Sequence, residues 1–188
     1  DLALLLLRAA RDLALEVALL DPGDDAAELH RRGYDVVAFD VSKTAVDWAS
    51  KRFDAPIDWR VLDLLKAQQE LQETFDLVVE VRTVQSLPGV VRDAAMHAVG
   101  SLAAPGGVVL VVTLLAVNAE VARGWHGPPW AQAPSELAAY RAAGLEQIAL
   151  EHPDPDEGGS MEVRITWQRG PALLPIVPDA DADARGPG

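Results

Sequence analysis

FDLVVEV, residues 75–81, constrains this chain more than any other stretch. It is nearly all apolar and has paired valines at its centre. A run of that length and texture is a strand covered on both faces, so the sheet must be sandwiched between helices. LEVALL (15–20), DVVAF (35–39), IDWRV (57–61) and VVLVVT (108–113) are further strands. Between them lie helical stretches. DDAAELHRRG is stopped by Gly33, and SKTAVDWASKRF has Ser42 placed as its N-cap, with Ala45, Trp48, Ala49 and Phe53 available to one face. A third helix, near Val90 to Val99, carries an apolar stripe of Val91, Ala94, Ala95 and Ala98 and leads into the turn APGG. Strand and helix in alternation specify a mostly parallel sheet with helices on both sides.

The texture changes after residue 113. ARGWHGPPWAQAP is a loop rich in proline, glycine and tryptophan, and a helix is expected from about Ser135 to Ala143. EQIALEH and MEVRITWQR follow, joined by PDPDEGGS. No helix fits in that connection, so these two strands form an antiparallel hairpin. Residues 1–169 therefore read as one domain, and 170–188 as a flexible tail rich in proline and aspartate. The opening DLALLLLRAARDLALEVALL reads as a helix packing on the sheet, then a strand. Asp1, Arg8, Arg11, Asp12 and Glu16 interrupt it, which leaves no run able to span a bilayer.

Composition removes whole classes of function. A formal charge of −13 with no basic stripe repels a phosphate backbone, so nucleic acid is not an expected partner. The absence of cysteine excludes disulfides and thiolate chemistry and fits a reducing cytoplasm. His30, His97, His126 and His152 are scattered without ligand spacing, so no metal site is expected.

With the strands placed, GDDAAELHRRGYDVVAFDVSKTAVDWA, VLDLL, FDLVVEVRTVQSLP, LAAPGGVVLVV and GPPW stand in order over roughly Gly23 to Arg169. The set resembles a class I S-adenosylmethionine-dependent methyltransferase of the thiopurine methyltransferase-like or tellurite-resistance-like group, which acts on small molecules. That resemblance implies a Rossmann-like three-layer α/β/α sandwich, with a mostly parallel seven-stranded sheet ending in an antiparallel hairpin. It also implies S-adenosyl-L-methionine as the cofactor.

The resemblance assigns cofactor roles to several residues. Asp40, followed by Val41, ends a strand where a carboxylate accepts both ribose hydroxyls. Asp63 and Leu64 sit where the adenine amino group is received. Glu80 is an acid inside an apolar strand end, and a buried unpaired carboxylate is costly enough to demand a partner or ligand. Gly23 and Asp25 open the first helix after the cofactor turn. That turn departs from the glycine-x-glycine-x-glycine pattern, with Leu19, Asp21 and Gly23 in its place. Asp21 either faces the cofactor's positive groups or fills the space a glycine would leave. Gln85, near Thr83 and Ser86, is expected beside the transferred methyl, and Trp125 and Trp130 are expected to stack on an acceptor or to pin their loop. No catalytic residue is assigned, because methyl transfer rests mainly on in-line positioning.

Three functions compete on these grounds. The first is methyl transfer to a small molecule. The second is a non-catalytic binding module that keeps the fold after losing the glycine turn. The third is an NAD(P)-dependent oxidoreductase, since Asp40 alone would serve that cofactor equally. The missing dinucleotide fingerprint and the terminal hairpin count against the third.

Overall fold

The structure, a computed structural model, describes residues 16–20, 23–152 and 160–171. The expected amino-terminal helix, Asp21 of the altered turn, the hairpin loop 153–159 and the tail beyond residue 171 lie outside the described residues.

Strands and helices alternate through most of the chain. The elements in order are β1 (Glu16–Leu20), α1 (Asp24–Arg31), β2 (Asp35–Asp40), α2 (Lys43–Arg52), β3 (Asp58–Val61), α3 (Leu64–Leu71), β4 (Phe75–Val81), a 3-10 turn (Val84–Ser86) and α4 (Gly89–Leu102). They continue with β5 (Ala103–Ala116), α5 (Ala119–Gly124), α6 (Ala138–Ala142), β6 (Leu145–Glu151) and β7 (Ser160–Arg169). The strands form one sheet in the order β3-β2-β1-β4-β5-β7-β6. Neighbours are parallel from β3 through to β5, and β7 runs antiparallel to both β5 and β6. The chain first winds outward from β1 to β3 and then returns to β4 on the other side of β1. The strand order reverses there, and open α/β sheets bind ligands outside the carboxyl ends of strands at such a reversal.

Two apolar cores cover the two faces. Leu71 of α3, Met96 and Leu102 of α4 and Tyr140 of α6 pack with Val78, Val109, Ile165 and Trp167. Ala26 and Leu29 of α1 pack with Leu77, Val79 and Leu110 on the opposite face. Alternate residues of β4 thus feed different cores, as the period of a strand requires.

Four details differ from the sequence pattern, each for a local reason. Trp48 does not join the core: Val46 and Ala49 are buried, and Trp48 is 56% exposed with the Arg52 guanidinium 4.9 Å from its ring. The stripe on α4 is rotated. Arg92, Ala95, Met96, Val99 and Leu102 are buried and Ala94 is exposed, because the largest side chains select the buried face and the many alanines are indifferent. Residues 64–71 form a helix that the pattern does not assign. Asp63 caps it by accepting from the Leu65 amide at 3.0 Å, and it is built from the good helix formers Leu, Lys, Ala, Gln and Glu. The short helix α5 replaces the start of the expected long loop, with Asn118 capping the amides of Glu120 and Val121, both at 2.9 Å.

The upper half of β5 has an unusual neighbour. β4 ends at Val81, in register with Val112. Arg82 then turns the chain off the sheet with φ 57°, a left-handed conformation uncommon outside glycine, while its amide still donates to the Val112 carbonyl at 2.9 Å. Beyond that point the loop after α5 takes the place of β4. The Gln132 amide donates to the Leu114 carbonyl at 2.8 Å, and the Ala116 amide donates to the Gln132 carbonyl at 2.9 Å.

Candidate functional site

At the carboxyl ends of β2, β3 and β4 lies a pocket of about 280 Å³, at the small end of ligand-sized cavities. Phe39 and Leu62 line it from the strand ends and Leu64 and Leu65 from the start of α3. Thr83, Leu87 and Val91 close the side formed by the 3-10 turn and α4. The wall is mainly apolar, and Asp40 and Asp63 supply its carboxylates.

Both carboxylates are fixed by their own backbone turns. The Ser42 amide donates to Asp40 Oδ1 at 2.6 Å, and Asp63 Oδ1 caps α3. Each is partly exposed and keeps a second oxygen for a ligand or solvent. Lys66 approaches Asp63 Oδ2 at 3.7 Å, a surface pair of little weight. The structure therefore brings Asp40, Val41, Asp63 and Leu64 into one pocket.

Other expected site residues lie elsewhere. Gly23 and Asp25 sit at the start of α1. Asp25 lines a separate cleft of about 260 Å³ with Val81, Arg82, Val112, Glu162 and Arg164. Arg82 and Glu162, both in its lining, form an ion pair.

Gln85, expected beside the transferred methyl, is closed inside the protein with no exposed surface. Its Oε1 accepts from Thr113 Oγ1 and from the Leu114 amide, both at 2.6 Å, and its carbonyl accepts from the Trp130 amide at 2.8 Å. It is a staple between the end of β4, the top of β5 and the tryptophan loop. Trp125 donates its indole N–H to the Pro129 carbonyl at 3.1 Å, and the Trp130 ring lies 5.8 Å from the Arg92 guanidinium. Neither tryptophan lines the apolar pocket.

Glu80 is wholly buried. Its Oε1 accepts from the Val84 amide at 3.0 Å, and Oε2 has no hydrogen-bond partner among the described residues. Burial pushes its pKa up to about 7, against the pull of the Val84 and Thr83 amides. Glu80 thus holds the first residue of the 3-10 turn, and the residues flanking that turn, Thr83 and Leu87, line the pocket.

Sequence reasoning misses Arg92. It is a charged residue on the buried face of α4, where its Nε donates to the Leu87 carbonyl at 3.0 Å and its Nη1 meets Glu136 Oε1 at 3.1 Å. Glu136 Oε2 accepts in turn from the Ala133 amide at 2.6 Å. Arg92 therefore ties the pocket wall at Leu87 to the tryptophan loop. An arginine between apolar turns of a helix was the available signal.

Comparison with known proteins places this arrangement. The fold is the Rossmann-like α/β fold of class I S-adenosylmethionine-dependent methyltransferases. The methyltransferase domain family matches residues 20–107, a segment that runs from the end of β1 into β5 and contains the whole apolar pocket. No curated protein matches the sequence.

Solved structures match over most of the chain. A putative methyltransferase of Bacillus halodurans C-125 superposes with a TM-score of 0.71 at 16% identity, covering 90% of this chain and 99% of its own. The 1,6-didemethyltoxoflavin N1-methyltransferase of Burkholderia thailandensis, solved with 1,6-didemethyltoxoflavin and S-adenosylhomocysteine, gives 0.65 at 15% identity over 89% and 76%. The [4+2]-cyclase SpnF gives 0.72 at 16% identity over 90% and 80%. Among the described residues no helix is long and apolar enough to cross a membrane.

Proposed function

We propose that this protein transfers a methyl group from S-adenosylmethionine to a small-molecule acceptor in the cytoplasm, with residues 1–169 working as one domain. The pocket between Asp40 and Asp63 carries the proposal. Two capped carboxylates at successive strand ends, with apolar side chains between them, fit an adenosyl group. Asp40 would accept the ribose hydroxyls, and Asp63 with the Leu64 backbone would receive the adenine edge. The sulfonium supplies an activated methyl when the cofactor is bound, so what remains for the protein is alignment and exclusion of water. Leu62, Leu87 and Val91 exclude water. Glu80 and Arg92 hold the 3-10 turn and Leu87 in place.

The fold alone does not select the reaction, as the [4+2]-cyclase illustrates. Isothermal titration with S-adenosylmethionine, S-adenosylhomocysteine and NAD tests the proposal. Binding of both adenosyl compounds and not of NAD is expected. Binding of none would favour a module that has lost its cofactor, and binding of NAD alone would favour an oxidoreductase.

A further inference from the structure

Resting on that cofactor assignment, we propose that Glu80 gives up a proton when the positively charged cofactor binds, and so sets the preference for S-adenosylmethionine over its uncharged demethylated product.

The geometry is specific. Glu80 lies in register with Leu20, the last residue of β1, inside the Leu19–Gly23 stretch that the sequence aligns with the cofactor loop and whose first two residues are strand. It stands two residues after Val78 and so shares its face of the strand, the face of Phe39, Leu62, Leu64 and Leu87 that carries the pocket. One carboxyl oxygen accepts from the first amide of the 3-10 turn, and the other is buried with no hydrogen-bond partner among the described residues, so only the weaker pull of the Thr83 amide adds to that bond. An orphaned oxygen of this kind in a native interior calls for a ligand, a water or a proton.

The surrounding charges leave Glu80 free to respond. Tyr140 of α6 is the titratable side chain that feels its charge, and the phenol is itself pushed up by burial. Arg92 of α4 is occupied by Glu136 and the Leu87 carbonyl. β5 and the turn present the neutral Thr113 and Gln85. Asp40 and Asp63 stand across the pocket at the ends of β2 and β3, and Asp25 lies in the other cleft. No cation of the described residues neutralises Glu80, so burial keeps it protonated up to about neutral pH.

A sulfonium placed at this strand end supplies the missing positive charge. The O–H bond of the carboxylic acid breaks, its proton passes to solvent, and the carboxylate, which stands behind the pocket wall at Thr83, attracts the cation through the dry interior. After methyl transfer the cofactor is neutral, the carboxylate loses its counter-charge, and the proton returns as the product leaves. Product release is thereby assisted.

The test is calorimetric titration of both adenosyl compounds from about pH 5.5 to about pH 8, in wild type and in Glu80→Gln. S-adenosylmethionine should bind more tightly as pH rises, by up to about tenfold per pH unit and levelling off above about 7, while the product's affinity stays flat. In Glu80→Gln both should be flat. With wild type alone, the heat of S-adenosylmethionine binding at about pH 6 should vary with the ionisation enthalpy of the buffer, and that of the product should not. Parallel pH profiles for the two compounds, a slope that survives in Glu80→Gln, or buffer-independent heats would overturn the inference and leave the methyltransferase assignment standing. Failure of both compounds to bind at every pH would overturn the two together.

Discussion

Gln85 Oε1 sits 2.6 Å from the Leu114 amide, taking the place that a strand carbonyl would occupy had β4 continued. The same oxygen accepts from Thr113 Oγ1, so one side-chain oxygen satisfies two buried donors. Gln85→Ala should strand both donors, at about 1–3 kcal/mol each, and should loosen the tryptophan loop. Urea unfolding is the check. A loss below about 1 kcal/mol would mean that water or a neighbour replaces the oxygen.

Asp40 is the pocket carboxylate proposed above to accept the ribose hydroxyls. Asp40→Ala should weaken binding of S-adenosylhomocysteine by about 1–3 kcal/mol, the scale of hydrogen bonds to a charged group. It should barely move the melting temperature, since the side chain is partly exposed and supports only the local Ser42 turn. Unaltered affinity in a folded variant removes Asp40 from the site.

Arg92 and Glu136 form an ion pair in which the arginine is buried and the acid partly so. Arg92→Met should cost about 3 kcal/mol, somewhat below a fully buried pair because solvent reaches Glu136. The double variant Arg92→Met with Glu136→Gln should recover part of that loss. Chemical denaturation of the wild type, the two single variants and the double variant measures the coupling, and simple additivity would show that the pair acts independently.

Glu80 should make stability depend on pH. Its folded value, about 7, lies above the unfolded value near 4.5, so the native state binds the proton more tightly. The favourable contribution is complete below the unfolded value and is lost as pH rises through about 7. The span corresponds to roughly 3 kcal/mol as an upper bound. Melting temperatures should fall between about pH 5 and about pH 8 in wild type, and the fall should shrink in Glu80→Gln. Equal slopes in the two proteins would assign the dependence to other groups.

Gly107 faces backbone where a side chain would stand. A Cβ there would lie 2.8 Å from the Ala104 carbonyl oxygen and 2.9 Å from that of Phe75, neither of which can rotate aside. Gly107→Ala should therefore destabilise the start of β5 by about 1–3 kcal/mol, the usual cost of overpacking, as thermal unfolding would reveal.

The strands were legible because burial on both faces writes itself into sequence as a continuous apolar run, as in β4. Asp40 and Asp63 were legible as strand-end acids, and the structure adds that both cap the turns that follow. Glu80 stood out because an acid in such a run needs an explanation. Helix α3 was hidden because LLKAQQEL follows directly on VLD, and the capping role of Asp63 was overshadowed by its place beside a strand. Trp48 misled because size suggests burial, whereas a cation from Arg52 lets an indole stay at the surface. The role of Gln85 depends on where β5 passes, which local sequence does not encode.

The loop that continues beside β5 has a bearing on how this scaffold can be diversified. Its base, Trp130 to Ala133, is stitched to Gln85, Leu114 and Ala116 and behaves as sheet, so changes there disturb the strands. Its tip, His126 to Pro129, is exposed. Gly127 packs on the backbone of Pro129 and Trp130, where a Cβ would lie 2.5 Å from the Pro129 oxygen and 2.9 Å from the Trp130 nitrogen, so residues are better added at the exposed junction before His126. New acceptor contacts can then be grown from a fixed anchor, and a library built at that one junction samples recognition while the core is held constant.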